Sequence, residues 1–260
     1  MEKKHKTILT LLVLFLLGSA IYFLTYGGNR KEQTPITATS TATTTVTTFE
    51  IKTEYFSDSS SEYDALVEYP QFVGAKSGTV EERMNAQFKK ESKAVYEQTA
   101  TELADAASAI AGRDIIFQRK LQSDKTYINN ETSVMSLVYS QYIDTGGAHG
   151  TFLYVSQSVD LKTGKKLMLS DLFKGDYESV LRKEIDKQIR SAATTCLRCD
   201  SLADELSNLN VQLPDHFLLS DQGITFLFGA YELGSYAATA SGQEVFVHKD
   251  LLNEYILRAW

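Results

Sequence analysis

His149 is the residue best placed to do chemistry. It lies in the run Tyr142-Ile-Asp-Thr-Gly-Gly-Ala-His-Gly-Thr151, where permissive glycines meet a titratable ring. A histidine titrates near neutral pH, so between glycines it can act as a general base or a ligand. A catalytic imidazole needs an acid to orient it, and Asp144 is the one acid close in sequence. A hydrolase using His149 and nearby carboxylates is therefore one reading. The other is structural: Gly146, Gly147 and Gly150 permit a bend between strands, with His149 hydrogen-bonded across it.

The remaining candidates are weaker. His216 and His248 are isolated, so no metal site or cofactor is expected. Acids are plentiful, but no motif selects a pair for glycoside hydrolysis. Neither a Gly-x-Ser-x-Gly elbow nor a phosphate-binding loop occurs. Tyr231 and Tyr236 can line a carbohydrate or protein surface, although five-residue spacing across a turn favours core or sheet-face packing. Cys196 and Cys199, in Cys-Leu-Arg-Cys, can close a small disulfide loop outside the cytoplasm. Free thiols, metal binding and redox chemistry remain open for the pair.

These residues sit in a chain with an unusual start. Lys3, Lys4 and Lys6 precede an apolar run from Ile8 to Tyr26. As a helix this run reaches across a hydrocarbon core of about 30 Å. The lysines ahead of it favour a cytoplasmic N-terminus. A cleaved signal peptide would use Ile8 to Leu17 with Gly18-Ser19-Ala20 as its cleavage site. Ile21-Tyr-Phe-Leu24 continues the apolar run past that site, which favours an uncleaved anchor. The expected organisation is a cytoplasmic stub and membrane anchor over 1–28 and a Thr-rich linker over 29–48. The two halves of one exported module then cover 49–145 and 146–260. The Thr-rich tract from Thr34 to Thr48 has too few core-forming residues to fold and reads as a stalk.

The exported part is acidic. Of 26 basic and 33 acidic residues, five basic and two acidic ones precede Phe49, which leaves a net charge of −10. Such a surface repels phosphate backbones and excludes nucleic acid as a partner class.

The periodicity predicts an α+β fold with largely antiparallel sheets and two main helices packed on them. Phe49, Ile51, Thr53 and Tyr55 alternate, as do Tyr63, Ala65, Val67 and Tyr69, and Ser57 to Ser61 reads as the loop between them. Pro70 ends the second strand or places it at an edge. A helix capped by Thr79 and Glu82 carries the stripe Val80, Met84, Phe88, Val95 and Leu103, and Gly112 stops it. Ile115 to Phe117 and Thr126 to Asn129 are weak strands. Val134 to Tyr142 and Thr151 to Leu161 are strong ones. Asp160-Leu-Lys-Thr-Gly164-Lys is a hairpin signal, with Lys166 to Leu169 as its return strand and a tight turn starting at Ser170. Tyr177, Leu181, Ile185 and Ile189 stripe a second helix over about 176–193. Phe217 to Leu219 and Ile224 to Phe228 form another hairpin. Glu244 to Val247 is the last strand, and Lys249 to Leu257 a closing helix.

Several of these segments together resemble a known family. Tyr142-x-x-Thr-Gly-Gly-Ala-His149-Gly, Val159-Asp-Leu-Lys-Thr-Gly-Lys-Lys-Leu and Leu169-Ser-Asp-Leu-Phe173 are similar to the RsiV/PdaC-type extracytoplasmic domain. Gly223-Ile-Thr-Phe, Tyr231-Glu-Leu-Gly-Ser-Tyr236-Ala and Val245-Phe-Val add to the likeness. A glycine often follows Tyr-Ala in that family, where this chain has Ala238-Thr239-Ala240. The resemblance implies a cell-envelope module that binds or senses a ligand, either a lysozyme-like protein or a peptidoglycan glycan. His149, Gly146, Gly147, Asp144, Tyr231 and Tyr236 are the residues expected to contact it. The cytoplasmic sigma-binding segment and the deacetylase domain found in family members are expected to be missing. An envelope hydrolase using His149 is the alternative.

Overall fold

The computed structural model describes residues 50–60, 63–74, 78–109, 117–195, 211–240 and 242–260. The expected anchor, the Thr-rich linker, Phe49, Gly112, Ile115, Ile116, Cys196 and Cys199 lie outside the described residues. No helix among the described residues is long and apolar enough to cross a membrane.

Two sheets make up the α+β body. The six-stranded one takes its strands in chain order: β1 (Glu50–Ser59), β2 (Tyr63–Val73), β3 (Phe117–Asn129), β4 (Val134–Asp144), β5 (Thr151–Asp160) and β6 (Lys166–Leu167). The three-stranded one holds β7 (Phe217–Ser220), β8 (Gly223–Phe228) and β9 (Gln243–His248). Pairing is antiparallel except between β2 and β3, which run parallel because helix α1 (Gly78–Ala109) crosses between them. That single crossover unit is a feature the periodicity did not reveal. Helix α3 (Tyr177–Thr195) packs on β9, after a single turn, α2 (Leu169–Leu172). A short α4 (Tyr236–Thr239) precedes β9, and a 3-10 helix (Lys249–Tyr255) closes the chain.

The helical stripes bury as their spacing predicts. Val80, Met84, Phe88 and Leu103 of α1 are buried, and all but Leu103 join Phe72, Leu121, Met135, Leu137, Tyr139 and Val159 in one core. Leu181, Ile185 and Ile189 of α3 join Phe217, Leu219, Ile224, Phe226, Val245 and Val247 in a second. β4 lies between the two, which is why its residues are buried on both faces.

Several local expectations need correction. α1 starts at Gly78, so Thr79 is inside the helix rather than its cap. Phe117 and the weak strand at Thr126 to Asn129 are the two ends of one continuous strand, β3. Its middle, Gln118 to Lys125, is polar and irregular in pattern, but ladders to β2 and β4 hold it through the backbone. β1 runs on to Ser59, into the expected loop. The expected return strand after Gly164 is only two residues long, and Leu169 already begins a helical turn. Pro70 does not end β2; it lies where β2 has run beyond its pairing with β3. There the side chain of Asn85 replaces a neighbouring strand: it accepts from Phe72 N at 2.7 Å and donates to Phe72 O at 2.9 Å.

The sheets meet through serines of β4 and β5, of which Ser136 and Ser158 are buried. The backbone N–H of Leu219 donates to Ser136 Oγ at 3.2 Å, and that of Phe217 donates to Ser156 Oγ at 2.8 Å. Ser136 Oγ and Ser158 Oγ are 2.9 Å apart. Amides on the edge of β7 are thus satisfied on the face of the first sheet rather than by another strand.

A partly buried ion pair ties residue 258 to the β5–β6 hairpin. Arg258 meets Asp160 at 2.7 Å, and Asp160 Oδ1 also accepts from the amides of Lys162 (2.7 Å) and Thr163 (2.9 Å). Burial by itself would raise the Asp160 carboxyl. Arg258 and the two amides outweigh it and hold the group below its ordinary value. A folded-state value below the unfolded one, about 3.9, gives stability that is complete above that pH. It is lost as pH falls through the lowered folded value. We expect Arg258→Met to shift the acid unfolding midpoint, followed by circular dichroism, to higher pH.

Candidate functional site

The glycine run forms the loop between β4 and β5, which pair up to Ile143 and Thr151 at its base. Asp144 organises the loop. Its Oδ1 accepts from Gly146 N at 2.8 Å, and its Oδ2 accepts from the Tyr142 hydroxyl at 3.3 Å. Gly146 has φ +75°, a conformation open to glycine. Gly150 is required for a different reason: the Tyr142 ring lies directly against its Cα, where a side chain would stand. Burial, then the charge of Asp144, pushes the Tyr142 phenol up to about 12. Gly147 is half-buried in the same loop.

The facing wall comes from the connection between β8 and β9. Ala230 N donates to Phe152 O at 2.8 Å and docks this connection onto β5. Tyr231 follows in left-handed backbone, φ +70°. For a bulky residue that conformation costs about 1–3 kcal/mol and persists where the surroundings enforce it. Here Tyr231 N donates to the buried Thr239 Oγ1 at 2.8 Å, and Thr239 Oγ1 donates to Ser235 O at 3.0 Å. α4 presents Tyr236, whose hydroxyl donates to Gly150 O at 3.2 Å. Thr239 is thus the support of the loop where a family glycine was expected, and Gly242, φ +72°, makes the turn after it.

His149 joins the two walls. Its ring stacks on Tyr236 with centroids 3.6 Å apart and planes 11° apart. Tyr231 lies alongside, 5.4 Å from Tyr236, and its hydroxyl is 3.5 Å from His149 Nε2. Burial lowers the His149 pKa, against a smaller opposing pull from Asp144. Burial thus favours the neutral form of the ring. His149 Nδ1 is buried without a hydrogen-bond partner, so neither ring nitrogen is held by Asp144.

Six residues expected at the site thus come together: His149, Asp144, Gly146 and Gly147 on one loop, Tyr231 and Tyr236 on the other. The two tyrosines are half-buried and turned to His149 rather than into the core. His149 makes a ring stack where a hydrogen bond between strands was expected. Tyr142 and Thr239 are parts of the site that sequence reasoning missed, and the signal for the first was the aromatic two residues before Asp144; Gly150, expected only as part of a bend, is in addition the residue on which the Tyr142 ring rests. The other described histidines lie elsewhere. His216 Nδ1 accepts from Ser156 N at 3.2 Å, and His248 Nδ1 accepts from Asp250 N at 3.3 Å. No metal-binding cluster occurs among the described residues.

We expect Gly150→Ala to push the Tyr142 ring off the loop and cost about 1–3 kcal/mol in urea unfolding. With Tyr142→Ala the two costs should overlap rather than add, because the clash is then gone.

Residues 32–151, which include Tyr142, Asp144 and His149, match the family model described as deacetylase PdaC. Residues 170–248, which include Tyr231 and Tyr236, match that of a protein family of unknown function, DUF3298. The chain thus carries a PdaC-type and a DUF3298-type domain in tandem. The pairing of domains marks an extracytoplasmic module of the cell envelope. Two solved DUF3298-family structures share its fold. That from Bacteroides fragilis NCTC 9343 is 18% identical, with TM-score 0.60, over 81% of this chain and 94% of its own. That from Pseudomonas aeruginosa PAO1 is 17% identical, with TM-score 0.56, over 80% and 94%. No curated protein matches the chain. Each matched domain contributes one wall of the aromatic cluster.

Proposed function

We propose that the protein is a membrane-anchored binding module of the cell envelope that holds a wall glycan against His149, Tyr231 and Tyr236. Residues 8–26 serve as the anchor, with the N-terminus in the cytoplasm and the bulk of the chain outside. One observation carries the ligand reading: half-buried rings from both domains meet, with Tyr231 held there in a costly backbone conformation. Tyrosines offer an apolar face and a hydroxyl together, which suits a sugar ring with its alternating C–H and O–H groups.

Hydrolysis is the less favoured reading, because no acid orients the imidazole of His149. A basic lysozyme-like protein is the second ligand, favoured by the net charge of −10 after residue 48. Co-sedimentation of the full chain with purified peptidoglycan sacculi separates these ligands. A glycan held on rings is retained at high salt and competed off by soluble wall oligosaccharide. Sacculi that fail to retain the protein, with salt-sensitive capture on a lysozyme resin instead, would replace the glycan with a protein ligand.

A further inference from the structure

β1 is the outer strand of the six-stranded sheet, and no described strand pairs with its other side. Its backbone parity can be read from its partner. Pro70 has no N–H and stands opposite Thr53, so these two form a non-hydrogen-bonded pair. Phe72 agrees: both its backbone groups bond to Asn85, away from β1. Alternate residues of β1, namely Ile51, Thr53, Tyr55, Ser57 and Ser59, therefore direct N–H and C=O to the free edge. This edge has ten residues, no proline and an unbroken register with β2. Short length, proline and a bulge, three of the devices that blunt natural edges, are thus missing from β1, and the charges it does carry, Glu50, Lys52, Glu54 and Asp58, are of both signs. Tyr55, in its middle, is 63% exposed.

We propose that β1 pairs antiparallel with β1 of a second copy, about a two-fold axis through Tyr55. Tyr55 then faces the partner's Tyr55, Thr53 faces the partner's Ser57, and Ile51 faces the partner's Ser59. Every edge group of these residues finds a reciprocal bond, as an isologous interface requires. The side chains select this register. Lys52 stands opposite the partner's Asp58 in the closer, non-hydrogen-bonded type of pair, and the symmetry repeats the contact. Lys52 is free for this role, since its present ion pair with Glu50 is long, 3.9 Å, and exposed. A two-residue slip that centres the axis on Glu54 sets Glu54 against the partner's Glu54 and Glu50 against the partner's Asp58, which repels. A slip to Thr53 pairs Lys52 with the partner's Glu54 but shortens the ladder between the described residues to Ile51, Thr53 and Tyr55.

The test is register-specific cross-linking of the full chain in mild detergent, with Cys196→Ser and Cys199→Ser as background. A hydrogen-bonded antiparallel pair brings Cα atoms to about 5.5 Å, within disulfide range. Tyr55→Cys should give a covalent dimer under mild oxidation, and Thr53→Cys should not. Adding Lys52→Glu to Tyr55→Cys should lower dimer yield at least about fivefold, given repulsion at both symmetry-related contacts. Adding Asp58→Lys to that variant should restore it. Melting curves of the monomers establish that each variant is folded. A monomeric Tyr55→Cys, equal yields from Thr53→Cys, or no effect of Lys52→Glu would each overturn the proposal.

Discussion

Replacing Trp260 with alanine lowers the unfolding free energy by about 3–5 kcal/mol in urea titrations, the range for deleting a buried large aromatic. The ring is 1% exposed and packs edge-on to Phe173, with centroids 5.5 Å apart. It belongs to the core beneath the three-stranded sheet, with Phe226, Leu219 and Leu181. Its Nε1 donates to Ser220 O at 2.9 Å, and the Lys249 ammonium sits 4.3 Å above it. Alanine therefore opens a cavity and removes one hydrogen bond from the β7–β8 turn. Trp260→Phe restores most of the volume without the N–H. Its cost should be smaller, by an amount that exceeds the net worth of one hydrogen bond, about 1 kcal/mol.

The second large effect is on binding. Tyr236→Ala should weaken glycan affinity at least about tenfold, because truncating an aromatic anchor typically costs 2 kcal/mol or more. The mutation removes the plate on which His149 stacks, and the hydroxyl that donates to Gly150 O. Stability should fall far less than for Trp260→Ala, since Tyr236 is only half-buried. Tyr236→Phe separates the two roles: the stack is kept, and only the bond to Gly150 is lost. Co-sedimentation with sacculi over a range of concentrations reads both variants on one scale.

Much of this architecture is legible from residue spacing. The stripes of α1 and α3, the hairpins at Gly164 and at 221–222, and the closing 3-10 helix all follow from local pattern. What escaped is non-local. Ser136 and Ser158 alternate with apolar neighbours and so read as solvent-facing. They are buried because edge amides of β7, far along the chain, need acceptors there. β3 is a strand because two ladders hold it, which its polar middle does not advertise. The glycine loop was evident, and so was the interest of His149. Its stack on Tyr236 was not, because no local periodicity links residues on two different domains. Nor does sequence mark Tyr231 as left-handed, a position where glycine or asparagine is usual.

The central claim is that the rings of His149, Tyr231 and Tyr236 form the ligand surface. Titrating a soluble wall oligosaccharide into 15N-labelled protein tests it most directly. Amide shifts should concentrate at Gly146, Gly147, Gly150, Tyr231 and Tyr236, and vanish in Tyr236→Ala. Saturable shifts that map elsewhere, or that survive in Tyr236→Ala, would contradict it.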